Sequence, residues 1–275
     1  MKLLLFCLFL GSVLGDLSVE WEKFKRDYNK KYASVAEELE RKQIFIDNVN
    51  KMRNHQQTYP DATFTMGVNH LTDRRIQELV SGKIFSSKRQ PTPFQKTVDV
   101  KDFPDSLDWR VKGVVSPARD QGMVGEIESA IVSTEVIETF HAIETKKLIE
   151  GSVSRVYDCC PSETSDIFEC IQKLGGICSN SAYPTQLNTC EPNKCQPFAT
   201  FDRIDRLANK SESTMLAWIQ ESTLWAEVDA SEFTTYRGGI YESPECSQTE
   251  IDHVIQIVGY GSENGIPFWI CKNSW

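Results

Sequence analysis

The chain has 275 residues, 40% hydrophobic and 10% aromatic, with a formal net charge of −9. That length suits one large domain or two modest ones, and the composition is that of a chain able to bury a core. The acidic balance excludes nucleic acid as a partner, because phosphate binding needs concentrated Lys and Arg. No apolar run beyond the leader approaches the roughly 18 residues of a membrane span, so no membrane partner is expected.

Residues 1–15 carry one Lys, then the apolar run Leu3 to Leu10, then Val13, Leu14 and Gly15 at the place of a cleavage site, which reads as a secretory signal. Nine cysteines less Cys7 in the leader leave eight, at 159, 160, 170, 178, 190, 195, 246 and 271. In an exported chain they form a disulfide framework. Cys190 and Cys195 lack a second close pair or clustered His at zinc-site spacing, so neither a metal nor a cofactor is expected. The glycosylation sequon Asn209-Lys210-Ser211 agrees with export, and the expected location is secreted or endolysosomal.

Residues 16–80 are charged and helical in pattern. Trp21, Phe24, Tyr28 and Tyr32 share one helix face, and Leu39, Ile44, Phe45, Val49 and Met52 mark a second helix. By themselves they describe a small helical hairpin. Residues 81–103 turn polar, with Pro91 and Pro93 and no periodicity, and read as an extended linker.

From Gly113 to Phe140 a loop or strand feeds a glutamine turn, Asp120 to Gly125, and then a helix with Ile127, Ala130, Ile131, Thr134, Ile137 and Phe140 at helical spacing. The plain reading is a core helix behind a glycine turn. Strand alternation returns at Ala226 to Asp229, Gly238 to Tyr241 and His253 to Tyr260. Taken alone, His253 is a satisfied core histidine. The chain stops at Trp275 inside a strand pattern, whereas termini usually lie in polar, mobile segments, so a fragment is expected.

Several spaced groups tie these pieces together. Glu37, Arg41, Phe45, Asn48 and Met52 recur on the second helix, and Gly67, Asn69, Leu71 and Asp73 follow. Further on come Pro104 to Arg110, Gln121, Asp252-His253 with Val258-Gly259-Tyr260-Gly261, and Lys272-Asn273-Ser274-Trp275. From residue 17 to 275 the chain resembles the cathepsin L-type, papain-like cysteine proteases with their inhibitory propeptide. The resemblance implies an α+β, two-lobed fold, with a helical left lobe and a β-barrel-like right lobe, behind a helical propeptide. It implies a propeptide and linker over 16–103 and a peptidase domain over 104–275, incomplete at its C-terminus. His253 would be the catalytic imidazole, Asn273 the side chain that orients it, and Gln121 the oxyanion donor. It also implies a Cys159–Cys190 disulfide, with Cys160 as the substitute for Cys159, and places the partner of Cys246 beyond residue 275.

The departures from the family fall on the nucleophile. Six residues after Gln121, where the family has its reactive Cys, stands Ile127; registering the helix from its downstream end puts Glu128 there instead. Val124 replaces the turn's other Cys, and its partner's Gly-Gly loop is missing, with only Pro161 to Asp166 after Cys160. Peptide cleavage at this geometry needs a thiolate. The expectation is therefore a monomeric homologue without peptidase activity, whose partners are proteases or peptide and protein ligands met through residues 16–100. The alternative is an active cysteine endopeptidase. A third reading is a binding or storage protein whose propeptide is a folding aid.

Overall fold

In the computed structural model, residues 17–80, 103–160, 166–207, 211–244, 246–247 and 249–275 are described. The leader, residues 81–102 of the linker and Asn209 of the sequon lie outside them. The chain divides into two compact units: Met1–Leu79 with Ala230–Cys246, and Val80–Asp229 with Ser247–Trp275.

In the first unit, helix α1 covers residues 17–27 and α2 covers Val35–Thr58. Ser34 caps α2: its hydroxyl accepts from the Glu37 N–H at 3.1 Å, while the Glu37 carboxylate accepts from the Ala33 N–H at 2.7 Å. The first helix is shorter than its aromatic spacing predicts. It ends before Asn29, whose φ is 48°, so Tyr28 and Tyr32 pack from the following turn; Tyr32 stacks on Trp21 with ring centroids 5.7 Å apart. Trp21, Phe24, Phe45 and Val49 form the core.

The spaced polar side chains of α2 each meet a backbone or charge need. Arg41 binds both oxygens of Glu78, at 2.7 and 2.6 Å, and Asn48 donates to the carbonyls of Thr72 and Arg74. Asp73 is buried under Lys30 and Tyr32. Strand β1, Phe64–Met66, then pairs antiparallel with a strand from late in the chain, Tyr236–Gly239, where Phe64 lies opposite Gly239.

The second unit begins with β2, Leu107–Asp108, and its central helix α3 runs Glu128–Thr145. Helices α4 (Val153–Cys159), α5 (Ile167–Lys173) and α6 (Glu212–Ile219) follow, then β3 (Leu224–Val228). With Tyr236–Gly239 counted as β4, the last strands are β5, His253–Glu263, and β6, Ile266–Lys272. β5 pairs antiparallel with β3, β2 and β6. The β5–β6 hairpin turns at Asn264-Gly265, with φ 52° and 82°, the left-handed pair such a two-residue turn needs. At Gly259 a Cβ would meet the Leu107 carbonyl oxygen at 2.1 Å, so glycine is what lets β2 pair here.

Helix α3 contributes Ala130 and Ile137 to an apolar cluster with Val156, Ile171 and Ile177, and Ala142 to another with Trp109, Ile219 and Ile257. Packed from both sides, it buries Glu128, Glu135 and Glu138 as well as its apolar face, which the apolar spacing alone does not reveal. Three disulfides close the helical part: Cys159–Cys190, Cys160–Cys170 and Cys178–Cys195. Strand β6, which reads as a core strand, is mostly half-exposed, and Lys272 is its buried residue.

Candidate functional site

The glutamine turn is built by local hydrogen bonds. Asp120 Oδ1 accepts from the Gly122 N–H at 2.8 Å, and Gly122 takes φ +62°. The turn is tied to the far end of the chain at Gln121: its N–H donates to the Ser274 carbonyl at 2.8 Å, and the Ser274 hydroxyl donates to its Oε1 at 2.6 Å. A side-chain amide whose oxygen is so held has its NH₂ end fixed in direction. A single 3₁₀ turn, Gly125–Ile127, leads into α3, and the Glu128 N–H donates to the Gly125 carbonyl.

Both candidate nucleophile positions are therefore placed. Ile127 is half-buried against the Ala130, Ile171 and Ile177 cluster. Glu128 is fully buried, and its Oε2 lies 2.5 Å from Nδ1 of His253. The longer carboxylate, one residue further along the helix, is what meets the imidazole.

His253 opens β5, where it lies opposite Val228 of β3, and is also fully buried. Its Nε2 stands 2.8 Å from Asn273 Oδ1. Asn273 follows β6, and the β5–β6 hairpin carries it back to the start of β5. Its Oδ1 also accepts from the Ser274 N–H at 2.7 Å, which settles the orientation of the amide: oxygen, not nitrogen, faces the ring. Nε2 must then bear a proton. Nδ1 faces a carboxylate oxygen, so one further proton lies between imidazole and Glu128, as an ion pair or as a carboxylic acid donating to a neutral ring. The Trp275 ring covers the imidazole, centroid to centroid 4.5 Å.

Behind these residues runs a set of buried charges. Lys272 binds Glu135 at 2.8 Å; Arg119, Ser116 and the Gly151 N–H converge on Glu138 at 2.5, 2.7 and 2.5 Å. Burial pushes the Glu135 carboxyl up, against the pull of Lys272, and burial likewise brings the Lys272 amine down. The residue-by-residue reading of the sequence passed over this network and over Ser274 as the partner of Gln121. The available signal was charge at positions 128, 135 and 138 among the apolar positions of a core helix, since buried charges come paired.

Gln121, His253 and Asn273 thus converge with Glu128, Ser274 and Trp275. Chemically the group can share a proton and hold an imidazole tautomer, and among the described residues the hydrogen-bond partners of His253 are a carboxylate and an amide. A central helix whose N-terminus faces a histidine on an antiparallel sheet, oriented by an asparagine, with a separate helical module before it, defines a class: the papain-like proteases and their precursors.

The comparisons agree. Residues 103–275 match the model of the papain family cysteine proteases, and residues 21–79 match the cathepsin propeptide inhibitor domain. The chain belongs to the papain family, as a cathepsin L-like homologue with a propeptide domain, and its fold is the α+β, two-lobed fold of that family. It is 30% identical over 294 residues to "Digestive cysteine proteinase 1" of Homarus americanus, covering 100% of this chain and 90% of the relative. It is 29% identical to "Cathepsin S" of Bos taurus, over 94% of this chain and 84% of the relative. Among solved structures, a recombinant stem bromelain precursor superposes with a TM-score of 0.82 at 27% identity, covering 94% of this chain and 88% of the other. A digestive procathepsin L of the Tenebrio molitor larval midgut gives 0.79 at 28% identity, over 94% and 89%.

Proposed function

We propose that this chain is a secreted or endolysosomal papain-family protein that does not cleave peptides, and that its propeptide region binds and inhibits true proteases of the family. The observation that carries the first half is the 2.5 Å contact between Glu128 and His253. In a cysteine protease the imidazole activates a thiol; here the ring nitrogen that would do so is already bound by a carboxylate. The backbone N–H of residue 128 is also donated to Gly125, so it is not free to stabilise a developing oxyanion. Catalytic roles for His253, Asn273 and Gln121 therefore belong to the ancestry of the site.

The second half rests on the propeptide residues. Arg41, Phe45, Asn48 and Asp73 keep their structural tasks, and β1 offers a strand edge that pairs with another backbone. The competing reading, an active cysteine endopeptidase, is favoured by relatives such as "Digestive cysteine proteinase 1". A thiol-reactive probe carrying a substrate-like peptide separates the two. Incubated with the full chain after removal of the propeptide, it leaves the glutamine turn and α3 unlabelled on our reading. Stoichiometric labelling coupled to peptide hydrolysis would establish the endopeptidase instead.

A further inference from the structure

We infer that the Glu128–His253 contact is a structural clasp holding α3 to β5, so that the imidazole has become a stabilising element of the fold. The inference rests on the reading of this site as non-catalytic, but its test is unfolding rather than turnover, so the two can fail separately.

The geometry is that of a closed core pair. Both side chains have 0% exposure, both ring nitrogens have hydrogen-bond partners at 2.5 and 2.8 Å, and Trp275 covers the ring. A working catalyst must keep a polar atom poised for substrate, and such sites are held at some loss of stability. Here the ring has none left over.

Glu128 also fits a pattern that runs along α3. Glu128, Glu135 and Glu138 are all buried, and each meets a basic group from a different segment: His253 at the start of β5, Lys272 at the end of β6, and Arg119 before the glutamine turn. At about 100° per residue, steps of seven and three keep the three carboxylates within roughly 80° of one helix face. Gln256 adds its amide to the Glu135 carbonyl and the Thr139 hydroxyl along the same seam. The pair at 128 and 253 repeats what the two inner pairs do, one end of the helix further out.

Removing one partner of such a pair leaves the other buried and uncompensated, whereas removing both together leaves apolar contact. Unfolding of the full chain is followed for Glu128→Leu, His253→Phe and the double variant. Each single variant is expected to lower Tm by roughly 6–15 °C, and the double to lie above the worse single. Additive losses would overturn the inference. Should a single variant fail to fold, the wild-type protein still decides it: diethyl pyrocarbonate should modify exposed His70 quickly and His253 slowly under native conditions. Modification of His253 at the rate of His70 would overturn the clasp.

Discussion

At the scale of single residues, the one-position difference between Ile127 and Glu128 decides the chemistry. Ile127 turns toward the helical cluster, and only at 128 does a side chain reach Nδ1 of His253. A cysteine at 128 should therefore have a thiol beside an imidazole, whereas a cysteine at 127 should not. We predict that alkylation of Glu128→Cys slows on the order of tenfold when His253→Ala is added, because the thiolate loses its counter-charge. Alkylation of Ile127→Cys should be indifferent to that change, and the reverse order would place the nucleophile at 127. Neither variant should regain ordinary peptidase activity. With the 128 N–H committed to Gly125, turnover should stay on the order of a hundredfold or more below that of a working relative. Turnover near that of a relative would mean that only the nucleophile had been lost.

At the scale of elements, the helical hairpin of the first unit depends on charge at one junction. Burial opposes ionisation of Glu78, but the Arg75 N–H and the Arg41 guanidinium outweigh it and hold the carboxyl below its ordinary value of 4.5. A carboxylate with a depressed folded value contributes stability that is present above pH 4.5 and is lost as the pH falls through the lower folded value. Glu232 behaves alike: burial raises it, yet Ser243 and Lys51 bring it below the usual range. Acid should thus loosen the α1–α2 unit. The Tm difference between wild type and Glu78→Gln, measured by circular dichroism, should be widest at neutral pH and should narrow as the pH falls below 4.5. A difference that is flat with pH would show that the Arg41 pair adds nothing beyond a neutral hydrogen bond.

At the scale of the whole molecule, the strand edge offered by the propeptide is already engaged within the chain. β1 pairs with β4, the Gly67 N–H donates to Thr235, Asn69 donates to Thr234, and Phe64 packs edge-on to Tyr241 at 4.9 Å. An outside protease competes with that internal partner, and apparent affinity falls with the fraction of edge that is free. A recombinant segment spanning residues 16–100 should therefore inhibit a cathepsin L-type protease at concentrations on the order of 1 µM or below, and the full chain should inhibit more weakly. Absence of inhibition by the segment would sink the inhibitory role. Equal potency of segment and full chain would show instead that the internal pairing is no barrier.

Local pattern was enough for much of this. The spacing of apolar residues marks α2, α3 and β5, because helix and strand periods are properties of neighbouring residues. The spaced groups around Arg41, Gln121, His253 and Asn273 carry the family resemblance, since each residue type has one narrow task. Other features are not local. That α1 stops short of Tyr28 follows from a left-handed Asn29 and from Trp21 stacking on Tyr32. That α3 buries three glutamates requires cations from β5, β6 and a distant loop. The choice between Ile127 and Glu128 is of the same kind. Sequence set both beside the turn, and a contact spanning 125 residues puts Glu128 against His253, because only the folded sheet brings that imidazole within hydrogen-bonding distance of the helix.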